Sequence, residues 1–133
     1  MRNDEELQEE PEGADFHQEA RRRMRRKICA FIEGTSRNCW LETRQGKVYI
    51  RKSVRIIHNV KVDCLDMASI EATPPGRGFG TAMLELFEAE AGLNTRAVYV
   101  ECVHSTVLQS MLKKRGYEYI DSLCWWFKKE IEK

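Results

Sequence analysis

Between about Phe16 and Glu33 the apolar residues Ala20, Met24, Ile28, Phe31 and Ile32 recur every three or four positions, which draws one face of an amphipathic helix. Gly34 is its stop. The pattern then changes. Asn38 to Thr43 and Lys47 to Ile57 are rich in β-branched and aromatic residues and are joined by Arg44-Gln45-Gly46, a good short hairpin connection. His58-Asn59 makes a second turn, and Lys61 to Ala72 completes an antiparallel meander. The later part of that run alternates poorly, which predicts a central strand covered on both faces. Met83, Leu84, Phe87 and Ala91 form a second helical stripe from about Phe79, closed by Gly92. Arg96 to Val103 reads as a strand. Ser105 is an N-cap for a helix over Thr106 to Lys114, with Val107, Met111 and Leu112 inward and Arg115-Gly116 at its end. Tyr117 to Ile120 and Leu123 to Lys128 read as two last strands, the second carrying the core cluster Cys124-Trp125-Trp126-Phe127.

A helix between Lys61–Ala72 and Arg96–Val103 makes that strand pair parallel, as a right-handed β-α-β unit. The predicted class is therefore α+β, a mixed and mostly antiparallel sheet with one central parallel pair and flanking helices.

Composition adds three constraints. With 133 residues, the chain suits one domain over 16–133. Residues 1–15 carry Asp4, Glu5, Glu6, Glu9, Glu10 and Glu12 without an apolar period, so they read as an acidic, disordered tail. Arg21 to Lys27 are almost all basic, a solvated face or a site for an acidic protein partner; with net charge +1 and no interleaved aromatics, nucleic acid is the less favoured ligand. No stretch suits a membrane span or signal peptide, so a soluble, cytoplasmic protein is expected. Five widely spaced cysteines read as reduced thiols.

The densest signal is Pro74-Pro75-Gly76-Arg77-Gly78-Phe79-Gly80-Thr81, which links a strand to a helix. Unpaired amides and partial positive charge at a helix N-terminus attract anions, and glycine lets them come close. A nucleoside-triphosphate loop is excluded, because no lysine precedes Thr81. A dinucleotide site, with Glu101 toward the ribose, remains an alternative, although Gly-x-Gly-x-Gly is not its spacing and one β-α-β unit is little parallel sheet.

Pro75-Gly76-Arg77-Gly78-Phe79-Gly80, followed by small Thr81, resembles the central motif of the GNAT superfamily of acyl-CoA-dependent N-acetyltransferases, Gln/Arg-x-x-Gly-x-Gly/Ala, at both glycines. Leu112-Lys113-Lys114-Arg115-Gly116-Tyr117 is similar to the family's second cofactor-facing motif. Pro75 departs from the usual Gln or Arg, Leu112 stands where a Tyr is frequent, and Ser105 stands where an Asn is usual. The resemblance implies acetyl-CoA as cofactor, its pantetheine arm on the backbone of Ile70, Glu71 and Ala72. It places the pyrophosphate on the amides of Arg77, Gly78, Phe79, Gly80 and Thr81, with Ser105 nearby.

The implied activity is acetyl transfer to a primary amine, a protein lysine or N-terminus. A lysine-like amine has a reference pKa of about 10.4, so a base or water relay must take its proton. Glu71 is the preferred base; Asp66, Glu101 and His104 are the alternatives. The resemblance puts the amide of Ile70 or Glu71 at the developing oxyanion. Tyr117 is the candidate acid, with Tyr119 as an alternative. The competing reading is a catalytically weak CoA-binding or protein-interaction module that uses the acidic tail and basic helix 21–27.

Overall fold

The computed structural model describes residues 18–72 and 78–129. The acidic segment 1–15 and loop residues Pro74, Pro75, Gly76 and Arg77 lie outside them. Among the described residues, three helices and six strands follow in the order α1 (Gln18–Glu33), β1 (Asn38–Thr43), β2 (Gly46–Ile57), β3 (Val60–Ala72), α2 (Phe79–Leu93), β4 (Ala97–Val100), α3 (Thr106–Lys114), β5 (Glu118–Tyr119) and β6 (Trp125–Phe127). The sheet order is β1-β2-β3-β4-β6-β5. Only the central β3–β4 pair is parallel, so the architecture is the predicted α+β mixed sheet.

The main core collects the inward stripes of α1 and α2, Leu112 of α3, and one face of the sheet through Val48, Ile50, Leu65, Met67, Val98 and Val100. Side chains alternate along a strand, so Val62, Cys64, Ala97 and Tyr99 fall on the other face. There they form a smaller cluster that contains no helical residue. The central strand is buried on both faces, as expected, but the described helices share one of them. Charged and aromatic side chains cover the other.

Several boundaries move. His58 and Asn59 both have positive φ, the conformation a two-residue primed turn requires. Gly92 sits inside α2, which ends at Leu93 with Asn94 as its C-cap. The two last strands are shorter than expected, and β6 lies between β4 and β5 in the sheet. Val107 is 73% exposed, a correction to its inward assignment; Leu112 holds the buried position while Leu108 and Met111 pack at the edge of the core. All five cysteines are free. No described helix is long and apolar enough to cross a membrane.

Candidate active site

Parallel pairing of β3 with β4 runs from Cys64↔Ala97 to Met67↔Val100. One more rung follows, the Glu101 amide donating to the Met67 carbonyl at 3.0 Å. Beyond it β4 has ended, while β3 continues to Ala72, paired on its other side with β2 as far as Gly46. The β2–β3 register also slips here: Tyr49 faces Ser69, but Ile50 faces Met67. Ala68 is thus a β-bulge, which bends and twists its strand. The bulge and the end of β4 coincide, and the two central strands part at this point. Among the described residues, no strand pairs with the exposed edge of β3 past Met67.

The N-terminus of α2 opens onto this end of the sheet. Gly78 caps it in the left-handed conformation, φ 86°, with no side-chain hydrogen bond to the helix. The first intrahelical bond is Ala82 N–H to the Gly78 carbonyl at 3.0 Å, so the amides of Gly80 and Thr81, one turn too early for such a bond, find no acceptor within the helix. A Cβ at Gly80 would meet nothing within 4 Å. Glycine therefore leaves open space over the positive end of the helix dipole. Beside it, a groove lined by Thr106, Val107, Ser110, Met111 and Lys114 follows α3. The Thr81 hydroxyl, 3.5 Å from the Met111 sulfur, joins the groove to the first turn of α2.

On the opposite face, helix-free among the described residues, lies a network of charges. Asp66, 0% exposed, accepts from Ser53 and Arg55 at 2.8 Å each. Glu101 accepts from Arg51 at 2.8 and 3.0 Å and from Arg55 at 2.9 Å, and the Arg55 guanidinium stacks 3.9 Å from the Tyr99 ring centroid. Burial pushes the Asp66 carboxyl above its ordinary range, against the pull of Arg55 and Ser53. Both acids are committed to arginines. The Glu101 carboxylate is thus engaged by Arg51 and Arg55 rather than free for a ribose.

Above the network, at the parted strands, Glu71 is exposed, its carboxylate 4.0 Å from the Lys47 ammonium. Ile70 and Ala72 alternate to the other face and pack on the main core. Glu71 thus points to the helix-free side, whereas the open first turn of α2 lies on the helical side. The parted strands lie between them. Ser105 caps α3, its hydroxyl accepting from the Leu108 amide at 3.1 Å. His104 is exposed at the start of the same turn.

Tyr117, the candidate acid, lies inside the fold. It is buried against Phe127, ring centroids 5.0 Å apart, and its hydroxyl donates to Glu88 at 2.9 Å. Glu88 also accepts from Arg115 at 2.9 and 2.6 Å. Burial and the negative charge of Glu88 push the phenol's pKa upward. This geometry gives Tyr117 a structural task, tying the end of α3 to α2. Tyr119 packs edge-on against Trp125.

Sequence reasoning missed the groove and the arginine network. The groove had a signal, since residues 106, 107, 110, 111 and 114 share one helical face. The bulge had none, because Ala68 interrupts alternation in a run already too apolar to alternate.

No family model matches the chain, and a search of curated proteins found no match. Among solved structures, similarity is found to a point mutant of the toxin AtaT bound to the C-terminus of the antitoxin AtaR and acetyl-CoA, with 11% identity and TM-score 0.49. A second structure of the same toxin and antitoxin segment gives 14% identity and TM-score 0.47. Each alignment covers 62% of this chain and 57% of the other. Likeness this remote carries no argument about chemistry.

Proposed function

We propose that the chain is an N-acetyltransferase that moves an acetyl group from acetyl-CoA to a primary amine, a protein lysine or N-terminus. One observation carries this reading: β3 and β4 part at the Ala68 bulge beside a helix N-terminus whose Gly80 leaves open space. The residues fit the group. The amides of Phe79, Gly80 and Thr81 would hold the pyrophosphate, Lys114 and Ser110 in the α3 groove would take polar parts of the nucleotide, and the β3 edge from Ile70 to Ala72 would pair with the pantetheine amides. Arg77, from the same loop, belongs to the proposed phosphate contacts. When bound, acetyl-CoA supplies an acyl carbon activated by its thiol leaving group.

The amide of Ile70 or Glu71 donates toward the developing oxyanion. The Glu71 carboxylate accepts the ammonium proton, directly or through one water, on the face the acceptor approaches. Asp66 and Glu101 keep the arginines in place and the strands rigid up to the bulge. The Tyr117 hydroxyl is engaged by Glu88, so this phenol would leave protonation of the thiol leaving group to solvent.

The test is incubation of the full chain with isotope-labelled acetyl-CoA and a cell extract, reading acetylated amines by mass spectrometry. Labelled lysines or N-termini that appear with wild type, and are strongly reduced with Glu71→Gln, support the reading. No enzyme-dependent label contradicts it.

A second reading rests on α1. Arg22, Arg23, Arg25, Arg26 and Lys27 are exposed, a surface suited to an acidic protein partner in a module of little catalytic activity. Salt-sensitive capture of an acidic protein, lost when these residues become Gln and unaccompanied by acetyl transfer, would favour it.

A further inference from the structure

The Lys47 ammonium lies 4.8 Å from the centroid of the Trp40 ring and 4.0 Å from a Glu71 carboxylate oxygen. Trp40, Lys47 and Glu71 come from three neighbouring strands. Trp40 pairs with Tyr49, Glu42 with Lys47 and Lys47 with Glu71, so these side chains share the helix-free face. Tyr49 extends the aromatic surface, its ring centroid 5.1 Å from that of Trp40. An indole face attracts a cation through its quadrupole, and a carboxylate attracts it by charge. The chain therefore holds a primary ammonium beside its own candidate base, at the parted strands. Lys47 remains 40% exposed, so it is accessible.

We propose that Lys47 is itself an acetyl acceptor, modified in cis by an acyl thioester bound at the parted strands. The proposal rests on the acetyltransferase reading and names one substrate amine of that site. The ammonium proton passes to Glu71 and on to water. The Nζ lone pair then forms a bond to the acyl carbon, the carbon–sulfur bond breaks, and the thiolate takes a proton from solvent. The product is an amide that carries no charge, so the ion pair to Glu71 and the attraction to Trp40 both end. Modification thereby frees the aromatic surface and the carboxylate for an external amine. Tethering supports the reaction, since a nucleophile fixed near its target reacts as a unimolecular partner.

Two measurements on the full chain test this. In the free protein, the Lys47 side-chain NMR resonances should show a ring-current shift that Trp40→Ala removes; absence of that shift overturns the placement of the amine. With acetyl-CoA, peptide mass spectrometry over time should show Lys47 acetylated at least about tenfold faster than the exposed Lys61 and Lys113, at a rate independent of protein concentration, with Glu71→Gln removing the excess. If acetyl-CoA stabilises the protein but Lys47 reacts no faster than Lys61 and Lys113, the proposal is wrong and the acetyltransferase reading stands. If acetyl-CoA gives no stabilisation and no lysine is preferred, both fall.

Discussion

The Phe79 ring lies against Gly46: a Cβ added to Gly46 would come within 2.8 Å of two ring carbons and 2.3 Å of the Glu71 carbonyl oxygen. The first residue of α2 is thereby pinned to the strand ends that carry Ile70, Glu71 and Ala72. A hairpin glycine and a motif phenylalanine, far apart in sequence, set the distance between the proposed phosphate and acyl ends of the site. Gly46→Ala is expected to cost about 1–3 kcal/mol in urea unfolding, as overpacking does. It should also weaken any stabilisation by acetyl-CoA, because α2 must shift.

Tyr117 separates a structural from a catalytic role. Tyr117→Phe removes one hydrogen bond to Glu88, which keeps its two bonds to Arg115. The expected loss is about 1–2 kcal/mol of stability, with turnover in a transfer assay changed less than about threefold. A fall of about 10²-fold would instead mark the phenol as the acid.

Asp66 predicts an inverted pH response. Its pKa in the folded protein lies above its ordinary value of 3.8 because burial opposes ionisation. In the window just above 3.8 the folded state therefore binds more protons than the unfolded state, so this group's contribution falls as pH rises through its folded pKa. Asp66→Asn, which does not titrate, is expected to be less stable than wild type, with the deficit largest at the acid end of that window. Urea midpoints measured across the window check this; a deficit that grows with pH contradicts it.

Thiol reactivity follows burial. Cys64 is fully buried and its thiol is pushed up to about 12, whereas Cys102 is exposed at φ 55° where β4 ends. At neutral pH a thiol reagent should modify Cys102 first, and Cys64 only after denaturant unfolds the chain. Mass-spectrometric mapping reads the order.

Much of this was legible in the sequence. The stripe from Ala20 to Ile32, the β-branched meander and the Ser105 cap act locally, so period and turn chemistry report them. The glycine-rich stretch marked the start of α2 for the same reason. Arg51, Arg55, Asp66 and Glu101 lie on three strands and meet only through register, which one-dimensional patterns do not encode. The Ala68 bulge is hidden similarly, since one extra residue matters only relative to its partner strand. Val107 was misplaced because it shares a helical face with Met111, while the turn that packs on the core is centred on Leu108 and Leu112.

We propose that the open first turn of α2 holds the phosphates of an acyl-CoA. Calorimetric titration of acetyl-CoA into wild type and into Gly80→Leu tests it most directly. A leucine at Gly80 begins in open space and improves helix propensity by up to about 1 kcal/mol, so the variant should fold at least as stably. Saturable binding of one acetyl-CoA by wild type, abolished in this well-folded variant, is the predicted result. Absence of saturable binding to wild type, or equal binding by both proteins, would contradict it.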